Sequence, residues 1–415
     1  MMNKKILVRF MSLCALVVAL SACHEKKHGE YFPPRADKRV YFIYMAADNS
    51  LSPNAVRNLS DIKQSVTRKN AGNGRVIVFY DKPGANTQLL EFKAGTDGNC
   101  TETLLKDYGE DLNTGDIATF ELALSDMREY AERNGRKVDS YILDMWSHGD
   151  AWEVRSRGAE SAGIMPLSVA ADGYSYLELE EFVEAIEPGL FDAVVFAQCY
   201  GASVEMLYLL REKTDLVLGS APEMYVYGVP YHLVMPSIFA PVFDYAGYIE
   251  AYYQYYKDNN ASWKSGSMAA FDCTAFTDEF VTVMRDIYAS QEYGDKLVEL
   301  SRQSESSSGN GIDIQTYSNN STDYYGNIPF KYFDIGDFVN YLYPSDMESG
   351  FALRNQFWTC MDRIVLYKRT TGRVFEMPID PDKFSGMSTY IMLDNRYYTS
   401  LNNQYRQTSW YSAVY

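Results

Sequence analysis

The chain is sparing with the residues that build metal and disulfide sites: 6 cysteines and 4 histidines in 415 residues. No cysteine pair stands at CxxC or CxxH spacing, which argues against zinc, and nothing has the acidic periodicity of a calcium-binding EF-hand loop. No cofactor and no required metal are expected. So few thiols do not form a disulfide framework in a chain of this length, although one bridge stays open. Positive charge is also short, with 38 Lys and Arg against 55 Asp and Glu and a net charge of −17. Nucleic-acid affinity needs clustered cations to neutralise phosphates, so a chain without a Lys/Arg stripe is not expected to bind nucleic acid. There is no GxSxG turn, no Gly-rich phosphate loop and no repeat of fixed period.

About 47% of the residues are apolar, ample for a buried core. The length fits two domains or one enlarged α/β domain.

Lys4, Lys5 and Arg9 precede the uncharged apolar run Phe10 to Ala22, the n-region and h-region of a secretory signal. Its 13 residues are too few for a membrane-crossing helix, which needs about 20. The run ends in Leu20-Ser21-Ala22-Cys23, which looks like a bacterial lipobox. The expectation is a signal peptide over residues 1–22 and a lipid-bearing Cys23. The alternative is an ordinary small-residue cleavage site. Removing 22 of the 415 residues takes away three positive charges and no acid, leaving 393 residues at −20. Residues 23–38, with Pro33-Pro34 and no periodic apolar pattern, read as a tether between lipid and body. The expected location is the bacterial cell envelope, anchored to a membrane through the lipid.

Beyond the tether, short apolar runs alternate with helical periodicity. Strands are expected at Arg39 to Met45, Arg75 to Tyr80, Ser140 to Trp146, Phe191 to Ala197 and Leu216 to Gly219, with Gln88 to Phe92 as a hairpin partner. Helices are expected after Ser52-Pro53, over Thr114 to Arg133, Leu177 to Ile186 and Ser203 to Glu212. Near-continuous apolar strands alternating with helices predict an α/β fold with a mostly parallel central sheet covered on both faces. This pattern fills residues 39–243. From Asp244 onward Tyr-rich helices (Tyr245 to Asp258, Phe276 to Gln291) and a Ser/Gly/Asn-rich stretch predict a smaller C-terminal α+β lobe over 244–415, packed on the first domain.

Ligand sites of such sheets lie beyond the carboxyl ends of the strands. His24 and His28 fall in the tether, so His148 and His232 are the histidines available to a site. With Cys100, Cys199, Cys273 and Cys360 they allow eight pairings for a nucleophilic thiol and its base. Position favours one: His148 and Cys199 each fall just past the end of an expected parallel strand, and a helix is expected to begin near Ser203. A thiol at a helix N-terminus is shifted toward thiolate. Gly149, without a Cβ, lets its N–H approach a bound carbonyl and form an oxyanion hole with the Cys199 N–H. Taken singly, Cys199 reads as a buried core thiol and His148 as an incidental strand-end residue. His232 is the alternative base, and Cys273 a strand core residue.

The ordered blocks Tyr44-Met45-Ala46-Ala47-Asp48-Asn49-Ser50-Leu51, Leu143-Asp144-Met145-Trp146-Ser147-His148-Gly149-Asp150-Ala151-Trp152 and Phe191 to Cys199 with Val204-Glu205 resemble the clostripain family of cysteine peptidases. So do Gly228-Val229-Pro230-Tyr231, Ser267 to Asp272 and Ser385 to Tyr390 leading to Trp410. The resemblance implies a caspase-like fold and peptide or protein substrates. It also implies a catalytic dyad of His148 and Cys199, with Gly149 at the oxyanion. Family members usually carry Asp-Ala-Cys at the nucleophile, the Asp helping to bind Arg or Lys at P1; here the positions read Ala197-Gln198-Cys199. Glu223, just past the next strand, is the candidate substitute for substrate binding. Where the family has His-Gly-Gly, Asp150 adds an acid expected on the site's rim. Members are often cut between His and Cys, and Arg155 and Arg157 mark a candidate place for nicking. The 61 aromatic residues (35 Tyr, 21 Phe and 5 Trp) support a second reading, a catalytically silent, binding-only envelope lipoprotein on the same scaffold.

Overall fold

The computed structural model describes residues 33–153, 169–173, 175–258, 264–304, 312–317, 319–323, 326–375 and 377–415. The expected signal peptide, Cys23, most of the tether, Arg155 and Arg157 lie outside the described residues.

Nine strands form the central sheet: β1 Arg39–Ala46, β2 Arg75–Asp81, β3 Gln88–Ala94, β4 Cys100–Asp107, β5 Ser140–Trp146, β6 Ala193–Ala197, β7 Leu216–Gly219, β8 Ser267–Asp272 and β9 Val365–Thr370. Their order is β9-β8-β7-β6-β5-β1-β2-β3-β4. The five central strands, β7 to β2, run parallel. Antiparallel pairs complete both flanks. Every residue of β1, β2, β5 and β6 is buried, which is why these strands read as unbroken apolar runs rather than alternating ones.

Alternate residues of the strands feed two cores. On one face Phe42, Tyr44, Leu143 and Phe196 pack with residues of α2 Ile117–Glu132, α3 Leu179–Ala185 and α4 Val204–Leu210. Tyr44 meets Phe120 edge-on at 5.1 Å. On the other face Tyr41, Ile43, Ile142 and Val195 pack with α1 Ser52–Ser65, α5 Tyr231–Ile238 and α6 Tyr245–Asp258. Pro53 starts α1, where its missing N–H costs no helical bond. Asp116 caps α2 and so trims the expected helix to Ile117.

The sheet runs across position 244. β8 pairs antiparallel with β7, and β9 with β8, so residues on both sides of the expected boundary build one sheet. Residues Tyr31–Tyr415 cluster as one unit. All four body cysteines are free thiols.

Candidate active site

The carboxyl ends of β5 and β6 place Trp146 and Ala197 side by side in register. The loops that follow carry Ser147-His148-Gly149 and Gln198-Cys199-Tyr200, and the segment after β7 carries Glu223, Met224 and Tyr225. Together they line a cleft of about 280 Å³, closed further by Leu51, Val226, Gly228 and Phe375. The structure therefore brings together His148, Gly149, Cys199 and Glu223, which are far apart in sequence. His232 is not among the lining residues; its Nδ1 lies 3.2 Å from Asp61 Oδ2 on α1. Cys273 is buried in the turn after β8.

Chain geometry at Cys199 is tightly specified. Tyr200 adopts a left-handed φ of 56°, a conformation that costs a bulky residue energy and turns the chain sharply after Cys199. Gly201 tolerates no side chain, since a Cβ there would stand 2.4 Å from Phe196 Cβ. Gly149 is equally constrained: a Cβ would meet the Cys199 carbonyl oxygen and the Gln198 Nε2 at 2.7 Å each. The glycine thus lets the two loops touch, and it brings its backbone beside the cysteine's.

The electrostatics correct one expectation. Helix α4 begins only at Val204, and its cap Ser203 already accepts from the Met206 N–H. Cys199 is therefore not at the helix N-terminus. Burial pushes its thiol up to about 12, the Glu223 charge adds to the rise, and the Met224 N–H, which donates to Sγ at 3.3 Å, pulls weakly the other way. Burial lowers the His148 pKa, so its imidazole is neutral at pH 7. Both partners rest uncharged. His148 Nε2 is 2.9 Å from Ser50 Oγ, and no hydrogen bond joins His148 to Cys199. Ser50, in the segment after β1, is a contact the sequence reading missed.

Asp150 is not on the rim. It is 4% exposed and forms an ion pair with Lys331 Nζ at 2.6 Å, while the Tyr332 hydroxyl donates to its carboxylate at 3.0 Å. Glu153 pairs with the same lysine. Burial alone would depress Lys331, yet the two carboxylates hold it above its ordinary value. Glu223 keeps its place in the cleft, its carboxylate accepting from the Tyr200 hydroxyl at 2.8 Å. Gln198 is 2% exposed, and neither atom of its amide has a hydrogen-bond partner among the described residues.

A parallel core with antiparallel flanks, helices on both faces and a strand-end cleft holding a cysteine and a histidine define a caspase-like α/β peptidase scaffold. The profile of the clostripain family matches residues 43–415, so the chain belongs to that family and is a cysteine-type peptidase. Among solved structures, an inactive zymogen C11 protease from Parabacteroides distasonis is 24% identical, with a TM-score of 0.71 over 93% of this chain and 100% of the other. A secreted C11 cysteine protease from Bacteroides thetaiotaomicron, solved with an irreversible peptide inhibitor, is 22% identical, with a TM-score of 0.71 over 91% and 98%. These likenesses show the fold. A comparison with curated proteins finds no match.

Proposed function

We propose that the chain hydrolyses peptide bonds as an endopeptidase through a dyad of Cys199 and His148. The observation that carries this is the shared cleft: the body's strand-end cysteine and strand-end histidine line one cavity with a glycine whose backbone abuts the cysteine.

In the tautomer whose Nε2–H donates to Ser50 Oγ, His148 carries the lone pair on Nδ1. In the reaction Nδ1 takes the proton of the Cys199 thiol as sulfur forms a bond to the substrate carbonyl carbon. The oxyanion is held by the N–H groups of Gly149 and Cys199. The imidazolium then gives its proton to the departing amine as the C–N bond breaks, leaving a thioester. Water, deprotonated by His148, attacks that carbonyl; the C–S bond breaks and the thiol regains its proton. Starting from a neutral pair matches the raised thiol and the lowered imidazole. Glu223 supplies the carboxylate that the substrate meets in the cleft.

A P1-diverse fluorogenic peptide library incubated with the protein and with Cys199→Ala tests this. Turnover lost in the variant is expected; equal turnover in both would refute it. The missing His148–Cys199 hydrogen bond favours a second reading, the catalytically silent scaffold. Stoichiometric labelling of Cys199 by an active-site electrophile would count against that reading, and an inert thiol would favour it.

For localisation, we propose that Cys23 is lipidated after cleavage of residues 1–22 and anchors the body to a membrane of a bacterial cell envelope. The support is the sequence run ending in Leu20-Ser21-Ala22-Cys23. Cys23→Ala is expected to move the protein from the membrane to the soluble fraction; unchanged size and fractionation would refute the anchor.

A further inference from the structure

We infer that the cleft beside Cys199 selects an uncharged, apolar P1 side chain such as Leu, Met or Phe, with Ala197 as the residue that sets this choice. The inference rests on the peptidase reading above and concerns what that site accepts.

Three observations lead to it. First, Leu51, Trp146, Ala197, Met224, Tyr225 and Phe375 give the cleft an apolar wall. Trp146 offers no spare donor, because its Nε1–H already donates to Asn58 Oδ1 at 2.8 Å. The aromatic wall continues to the mouth, where the Tyr225 and Phe375 rings lie 5.8 Å apart and Phe375 is 37% exposed. About 280 Å³ is room for one medium or large side chain.

Second, among the described residues a single carboxylate lines the cleft, and the end of β6 supplies none. Ala197, the last residue of β6, contributes only a methyl group. That carboxylate is Glu223, one of whose oxygens accepts from the Tyr200 hydroxyl. Asp150, the other nearby acid, is committed to Lys331. An ammonium or guanidinium drawn from water into such a wall would lose its hydration and gain a paired charge only by reaching Glu223. An apolar side chain gains by the same transfer, since it leaves water for contact with carbon.

Third, the remaining polar group does not reverse this. The Gln198 amide abuts Gly149, and its oxygen and nitrogen are covered, so a side chain entering the cleft does not reach them. The net charge of −17 attracts cationic peptides at long range, but it acts on encounter and not on what the apolar pocket retains.

The test compares peptides identical except at P1 (Leu, Met, Phe, Ala, Lys, Arg) on the full chain and on Ala197→Asp, Ala197→Leu and Cys199→Ala. The unmodified protein is expected to favour Leu, Met or Phe over Lys and Arg by about 100-fold in kcat/KM, the scale on which an apolar pocket discriminates. Ala197→Asp is expected to raise kcat/KM for Lys or Arg at least about tenfold, by pairing the cation with a carboxylate. Ala197→Leu narrows the pocket and is expected to shift preference from Phe toward Ala. Cys199-dependent cleavage after Lys or Arg in preference to Leu, Met and Phe by the unmodified protein would overturn the inference and leave the peptidase reading standing. Absence of turnover on every peptide, together with no reaction of Cys199 with peptidyl electrophiles bearing Leu or Lys at P1, would overturn the peptidase reading and this inference with it.

Discussion

His148 Nε2 lies 2.9 Å from Ser50 Oγ, and this contact rather than one to Cys199 orients the imidazole. Ser50 follows β1, whereas His148 follows β5, its parallel neighbour in the sheet. Sheet register thus brings a hydroxyl from one strand end to the ring on the next. In the tautomer whose Nε2–H donates to this hydroxyl, Nδ1 is left basic.

Ser50→Ala is expected to lower kcat about tenfold with little change in KM, the size of one lost hydrogen bond. Ser50→Thr should restore most of the rate. Steady-state kinetics of both variants check this, and a wild-type kcat in Ser50→Ala would show that the ring is oriented otherwise.

Because burial and the Glu223 charge push the Cys199 thiol up to about 12, the resting site holds a neutral thiol at pH 7. The thiolate fraction then grows tenfold per pH unit throughout the neutral range. Alkylation of Cys199 by iodoacetamide, followed by peptide mapping, should accelerate from pH 7 to pH 10 without a plateau. A plateau already reached near pH 7 would reveal a resting thiolate–imidazolium pair.

A Cβ at Gly149 would fall 2.7 Å from the Cys199 carbonyl oxygen. Gly149→Ala must therefore push the two loops apart and displace the N–H assigned to the oxyanion. A loss of about 100-fold to 1000-fold in kcat is expected, the range seen when an oxyanion donor is removed. Circular dichroism separates this loss from unfolding.

How much of this was legible in sequence differs residue by residue. β5 and β6 are buried on both faces, so their unbroken apolar runs marked the strand ends that carry His148 and Cys199. β4, by contrast, is an edge strand with mostly exposed residues, and its Thr-Glu-Thr content gives no core signal. β9 follows the helix Phe351–Ile364 with no intervening turn residue, so no breaker announces it. Proximity in sequence misled at Cys199, where the left-handed turn at Tyr200 separates the thiol from α4. Asp150 looked like a rim acid because its partner Lys331 lies 181 residues away. Contacts of that range follow from topology, which local patterns do not report.

Lys331 holds Asp150 and Glu153, all three buried, directly behind the His148-Gly149 loop. Lys331→Met removes the cation and leaves two carboxylates without it, which is expected to cost about 3–5 kcal/mol at pH 7. Neutralisation relieves the penalty, so protonating the stranded carboxylates at pH 5 should recover part of the loss. Thermal unfolding at the two pH values checks both signs; an unchanged midpoint at pH 7 would contradict the assigned ion pair.

The most direct test of the dyad is the intact mass of the protein after exposure to an irreversible peptidyl electrophile with Leu at P1. The account predicts one adduct per chain, mapped to Cys199, absent in Cys199→Ala and slowed at least about 100-fold in His148→Ala. An adduct on another cysteine, or equal labelling of Cys199 without His148, would contradict it.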